Sequence, residues 1–109
     1  MMKKSSNSGH DSYEHQANIC KAFANPTRLQ LIDLLARKER WSSELQAGLG
    51  ISKANLSQHL SILRTAGVVL TRRQGKELYC GISMPEVKQA AVLFRTLTKA
   101  ASRTKRRLM

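Results

Sequence analysis

Apolar positions in this chain follow a helical period as far as Gly67, a strand-like pattern from Val68 to Ile82, and a helical period again after Met84. Residues 1–11 have no period at all; small and polar, they are expected to form a disordered tail. Asp11 and Glu14 are spaced as a capping box, and a first helix should run from there to about Ala24. Tyr13, Ala17, Cys20 and Ala24 share one stripe of it, with Ile19 and Phe23 beside them. Asn25-Pro26 should end that helix and open the next, because asparagine caps well and proline is tolerated at the first helical position. Leu29, Leu31, Ile32, Leu34 and Leu35 give the second helix, which extends to about Lys38, an apolar face broad enough for the centre of a core. Arg37-Lys38-Glu39-Arg40 is a polar exit, and a short third helix is expected from Trp41 to Gly48, starting near Ser42 or Ser43.

Gly48-Leu49-Gly50-Ile51 suits a steep turn between two helices. Ser52 is a good N-cap for the fourth helix, Leu56, Leu60 and Leu63 form its seam, and Gly67 is placed to stop it. Ala54, Gln58, Ser61 and Thr65 point away from the seam. That outer face is small and polar with no carboxylate, which suits entry into a DNA major groove. Val68–Arg72 and Leu78–Ile82 are rich in strand formers, and Arg73-Gln74-Gly75-Lys76-Glu77 between them makes a hairpin with a basic tip. Ser83 and Glu86 are spaced as a second capping box, and a last helix should run from about Met84 to Ala101. Its stripe is Val87, Ala90, Ala91, Phe94, Leu97 and Ala101.

Four helices, a hairpin and a helix predict a mainly α fold with a small β-hairpin, the winged helix-turn-helix. The end helices each carry an apolar stripe with little left to cover, so dimerisation through the first and last helices is expected. The boundaries are a tail over 1–11, a DNA-binding and dimerisation domain over 12–102, and a basic C-terminal tail over 103–109.

Composition sharpens the choice of partner. The 109 residues fit one small domain, and 41% apolar content supplies a modest core. No apolar run approaches the roughly 20 residues that span a bilayer, and the basic N-terminus lacks the apolar core of a secretory signal. The expected location is the cytoplasm, with no membrane partner. The net charge of +12 points to a polyanion, above all nucleic acid. The charge is also segregated. No acid lies between Glu44 and Glu77, where Lys53, Arg64, Arg72, Arg73 and Lys76 are basic. No acid follows Glu86, against Lys88, Arg95, Lys99, Arg103, Lys105, Arg106 and Arg107.

Candidate DNA contacts are Ser52, Lys53, Asn55, Ser57 and Gln58 on the fourth helix, Arg64 at its far end, and Arg72, Arg73 and Lys76 on the wing. Gln58 can bond adenine through two atoms, Ser57 can bond a phosphate, and the wing cations can grip phosphate or reach a minor groove. Arg64 has a second reading as an ion-pair former. His59 flanks the leucine seam and reads either as a partly buried structural residue or as a backbone contact. Cys20 and Cys80 are too few for a disulfide scaffold and form no CxxC pair. They read as small buried hydrophobes or as sensor thiols, by disulfide, persulfide or soft-ligand chemistry. Seven acids, mostly isolated at helix starts, give little material for acid–base catalysis, so an enzyme is not expected.

From about Asn18 to Ser83 the chain resembles the ArsR/SmtB-type winged-helix repressors. The matching pieces are Ala24-Asn25-Pro26-Thr27-Arg28-Leu29, Ser57-Gln58-His59-Leu60, Leu63-Arg64-Thr65-Ala66-Gly67-Val68-Val69 and Arg72-Arg73-Gln74-Gly75-Lys76. The resemblance implies a homodimer that binds double-stranded DNA at an inverted-repeat operator and is released by an inducer, often a metal ion, metalloid or oxidant. The family's third-helix cysteine motif aligns with Glu44-Leu45-Gln46-Ala47-Gly48-Leu49-Gly50, without its cysteines. The last helix has no histidine, and no carboxylate after Glu86, so the usual metal sites are absent. No cofactor is needed for DNA binding, and the inducer, whether metal, metalloid, haem or oxidant, stays open. Two other classes fit the same features: a nonspecific architectural DNA-binding protein, and a protein-interaction module on this scaffold.

Overall fold

A computed structural model describes the backbone of residues 2–108 and the side chains of residues 12–108. The tail expected over residues 1–11 lies outside the fully described residues. The elements are α1 (Met2–Phe23), α2 (Pro26–Arg37), β1 (Arg40–Trp41), α3 (Ser42–Leu49), α4 (Lys53–Thr65), β2 (Val69–Gln74), β3 (Glu77–Ile82) and α5 (Pro85–Leu108).

Local chemistry sets most of these boundaries. Asn25 Oδ1 accepts from the Arg28 N–H at 3.1 Å and Pro26 occupies the first turn, so α2 opens as the sequence predicts. Ser52 Oγ accepts from the Asn55 N–H at 3.0 Å and caps α4 in the same way. At the far end Gly67 takes φ 82°, its N–H donating to Arg64 O and that of Val68 to Leu63 O. This Schellman pair satisfies two carbonyls of α4 and turns the chain into β2.

The sheet has three antiparallel strands in the order β1-β3-β2. The expected hairpin is there, with Gln74 opposite Glu77 across Gly75. The third strand is not in the sequence reading: Arg40 pairs with Cys80 and Trp41 with Tyr79, so the predicted polar exit ends in sheet.

The core lies where α2, α4 and the sheet meet. Leu31, Ile32 and Leu35 of α2, Leu45 of α3, Leu56, Leu60 and Leu63 of α4, and Val69 and Cys80 of the sheet are all buried. The α4 seam is thus the inner wall, as its spacing requires, and its small polar face is left outside.

Three end features differ from expectation. Ser83 does not cap α5; its hydroxyl donates to Gly67 O at 2.6 Å, tying the end of β3 to the turn after α4. The last helix does not stop at Ala101 but continues to Leu108, so the basic segment forms its final turns. Arginine, lysine and alanine are good helix formers, and no glycine or proline interrupts them. On α1, the packed residues are Ala22, Phe23 and, in part, Ile19, while Tyr13, Ala17 and Cys20, and Ala24 just past its end, are exposed. Likewise on α5 Val87 and Ala91 are buried, whereas Leu97 is 62% exposed.

Candidate nucleic-acid interface

Ser52, Lys53, Asn55, Ser57 and Gln58 are all exposed along the outer side of α4 and its N-cap. Their direction follows from the seam: with Leu56, Leu60 and Leu63 held in the core, the positions on the opposite face of the helix point outward. No side chain on this outer face carries a negative charge.

The wing divides its cations between two sides. Successive strand residues face opposite ways, so Arg73 shares a side with buried Val69 and Arg72 does not. Arg73 and Lys76 line a small cleft of about 60 Å³ together with Lys53 and Ser57 of α4, floored by Leu56, Leu60 and Leu78. Arg72 lies on the other side, its guanidinium 5.6 Å from the centre of the Tyr79 ring. Tyr79 packs in turn on Trp41, ring centres 4.8 Å apart. This Arg72–Tyr79–Trp41 stack runs across all three strands in register and stiffens the base of the wing. Arg64 lies apart from the cleft: its Nη1 donates to Thr71 Oγ1 at 3.0 Å, joining the end of α4 to β2.

His59 is partly buried, and Arg28 Nη1 lies 3.3 Å from its Nδ1. Arginine only donates, so Nδ1 is the acceptor and the ring proton sits on Nε2. Burial, and then the Arg28 charge, lower the pKa of His59 and keep it neutral. Arg28 was legible in the sequence only as part of a motif, and its role comes from three bonds. Nε donates to Ala22 O at 2.6 Å and Nη2 to Lys21 O at 3.2 Å, covering carbonyls at the end of α1, while Nη1 reaches α4. One guanidinium therefore joins the end of α1 to the side of α4.

The two thiols are free and differ in environment. Cys80 is fully buried in the core, its thiol pushed up to about 11 by burial. It packs as a small hydrophobe, and only Cys20 is exposed. Among the described residues, no three of His, Cys, Asp and Glu gather as a metal site would require.

An outward polar helix face, a basic cleft shared with a hairpin and a second helix packed behind define a winged helix-turn-helix DNA-binding protein. Residues 25–71 match the bacterial regulatory proteins of the arsR family. An uncharacterized HTH-type transcriptional regulator of Mycobacterium tuberculosis is 34% identical over 84 residues, covering 76% of this chain and 74% of that protein. The probable mercury resistance operon repressor of Streptomyces lividans is 41% identical over 81 residues, 74% of this chain and 65% of that one. Among solved structures, the homodimeric winged helix-turn-helix DNA-binding domain of a possible ArsR-family regulator from Mycobacterium bovis superposes with a TM-score of 0.77. It is 30% identical and covers 84% of each chain. The chain belongs to the arsR family of bacterial regulatory proteins: it is a DNA-binding transcriptional regulator, not an enzyme. No helix among the described residues is long and apolar enough to cross a membrane.

Proposed function

We propose that the chain is a homodimeric, cytoplasmic repressor that occludes a promoter by holding an inverted-repeat operator, and that an inducer releases it. The observation that carries this reading is the cleft in which Lys53 and Ser57 of α4 meet Arg73 and Lys76 of the wing. Groups from two elements converge there as a duplex backbone beside a major groove requires. Asn55 and Gln58, on the open face, read bases; Gln58 can bond adenine bidentately. Lys53, Arg73 and Lys76 take phosphates, with Ser57 beside them. A two-fold dimer sets its two α4 helices about 34–36 Å apart, in successive major grooves.

The exposed stripes of Tyr13, Ala17 and Cys20 on α1 and of Leu97 and Ala101 on α5 supply the dimer face. Cys20 lies on that stripe, so a soft metalloid, metal, haem or oxidant acting there would change how the helices pack. Affinity then falls by the difference in binding free energy between the two arrangements. Cys80, deep in the core, takes no part.

Footprinting on the upstream region of the chain's own gene tests this, with and without oxidant, arsenite, zinc and haem. One short inverted repeat is expected to be protected and then freed by an inducer, with release lost in Cys20→Ser. Equal protection of every duplex with a steep salt dependence makes the protein architectural. No shift of any DNA at low salt makes the surface a protein-binding one.

A further inference from the structure

The N-cap side chain of α3 offers no acceptor to the first turn. Its N-cap residue is Trp41, and an indole only donates, so it cannot satisfy the free N–H groups of the first turn. Glu44 closes one side, accepting from the Trp41 N–H at 2.9 Å. The other acceptor comes from the wing. Glu77, the first residue of β3, turns Oε1 onto α3 and accepts from Ser42 Oγ at 2.6 Å and from the Ser43 N–H at 3.0 Å. The Ser42 oxygen accepts in its turn from the Leu78 N–H at 3.0 Å. The turn end of the hairpin is thereby tied to the first helix of the helix-turn-helix pair. Hydrogen bonds from Ser42 and Ser43 hold the Glu77 carboxyl below its ordinary range, so the acceptor stays charged.

The location makes this carboxylate informative. Glu77 is the one acid between Glu44 and Glu86, and its partner Ser42 lines the same cleft as Lys53, Arg73 and Lys76. By charge alone, a carboxylate beside a polyanion weakens binding. We propose that Glu77 is a positioning residue for DNA binding: through Ser42 and Ser43 it holds the wing against α3, and so beside α4, so that Arg73 and Lys76 meet the backbone already in place. The proposal rests on the DNA reading above and adds to it a residue that acts without touching DNA. Charge and positioning predict opposite signs for its removal, which makes the two separable.

Glu77→Ala, Glu77→Gln and Ser42→Ala are compared with the parent on the operator and on an unrelated duplex, across a salt series. Glu77→Ala is expected to bind the operator about fivefold or more weakly, because a pre-placed wing is lost, and with a shallower salt dependence. Ser42→Ala changes no charge and weakens binding in the same direction. Glu77→Gln keeps an acceptor oxygen and falls between the parent and Glu77→Ala. In the free protein, hydrogen exchange at the Ser43 and Leu78 amides should accelerate in Glu77→Ala and Ser42→Ala. Protection at Leu60 and Leu63 should persist, which separates a loosened wing from an unfolded chain. If Glu77→Ala loses that protection too, Ser42→Ala and Glu77→Gln decide the matter. Operator binding by Glu77→Ala and Ser42→Ala as tight as the parent's, or tighter, overturns the proposal, as does unchanged exchange at Ser43 and Leu78. A parent that protects no site overturns the DNA reading itself, while the exchange rates still decide whether Glu77 holds the wing.

Discussion

Arg72 and Arg73 are adjacent in sequence and identical in charge, yet the hairpin sends them to opposite sides, so their removal should have unequal effects. Arg73 lines the cleft with Lys53, Ser57 and Lys76. Arg72 rests on the Tyr79 ring at 5.6 Å. In the proposed dimer, Arg73→Ala deletes one phosphate contact per protomer, and the slope of log affinity against log salt should fall by about 1.8. Over a fourfold rise in salt, the parent should lose about tenfold more affinity than this variant. Arg72→Ala removes the same formal charge but no cleft contact, so its slope should stay close to the parent's. Fluorescence anisotropy of a labelled operator at five or six salt concentrations, a number set by the need for a reliable slope, measures both. Equal slope changes in the two variants would refute the division of the wing into two faces. No change in either would remove the wing from the interface altogether.

Three further outcomes follow from the core and its edges. His59 has a lower pKa folded than the ordinary 6.5, so the unfolded chain takes up the proton first on acidification. Its contribution to stability is therefore full above that range and is lost as pH falls through it; the fall in melting temperature from about pH 8 to about pH 5 should be smaller in His59→Gln. Leu63 is 0% exposed, and Leu63→Ala should cost about 2–5 kcal/mol, read as a drop in the thermal midpoint of roughly 10 °C or more. Cys80 should resist alkylation until denaturant unfolds the chain, since its thiol is buried and pushed up to about 11; rapid labelling in the native protein would contradict that placement.

What could be read in the sequence was whatever local chemistry decides. Asn25-Pro26, Ser52 and Gly67 each act within one helical turn, and the structure uses all three as their residue types predict. The leucine seam of α4 was legible for the same reason. Features decided between distant residues were not. Strand β1 is two residues long, too short for any alternation, and exists because β3 has a free edge beside it. Ser83 carries a sound capping pattern with Glu86, but the Gly67 carbonyl, brought close by the turn after α4, takes its hydroxyl instead. Glu77 resembles a turn acid until the Ser43 N–H at the start of α3 is seen to donate to it. Arg28 reaches His59 of α4 across 31 positions of sequence, a distance no periodicity reports.

The stack at the base of the wing has a practical consequence. Trp41 is the only tryptophan in the chain, and its ring lies against Tyr79, which lies against Arg72. The emission of the unlabelled protein is therefore a local optical gauge of the hairpin. A wing that shifts on a duplex alters the surroundings of that one indole, while the rest of the molecule contributes no tryptophan signal. Titration with DNA can thus be followed by intrinsic fluorescence, and Tyr79→Leu should change the emission of the free protein while leaving the α4 face unaltered.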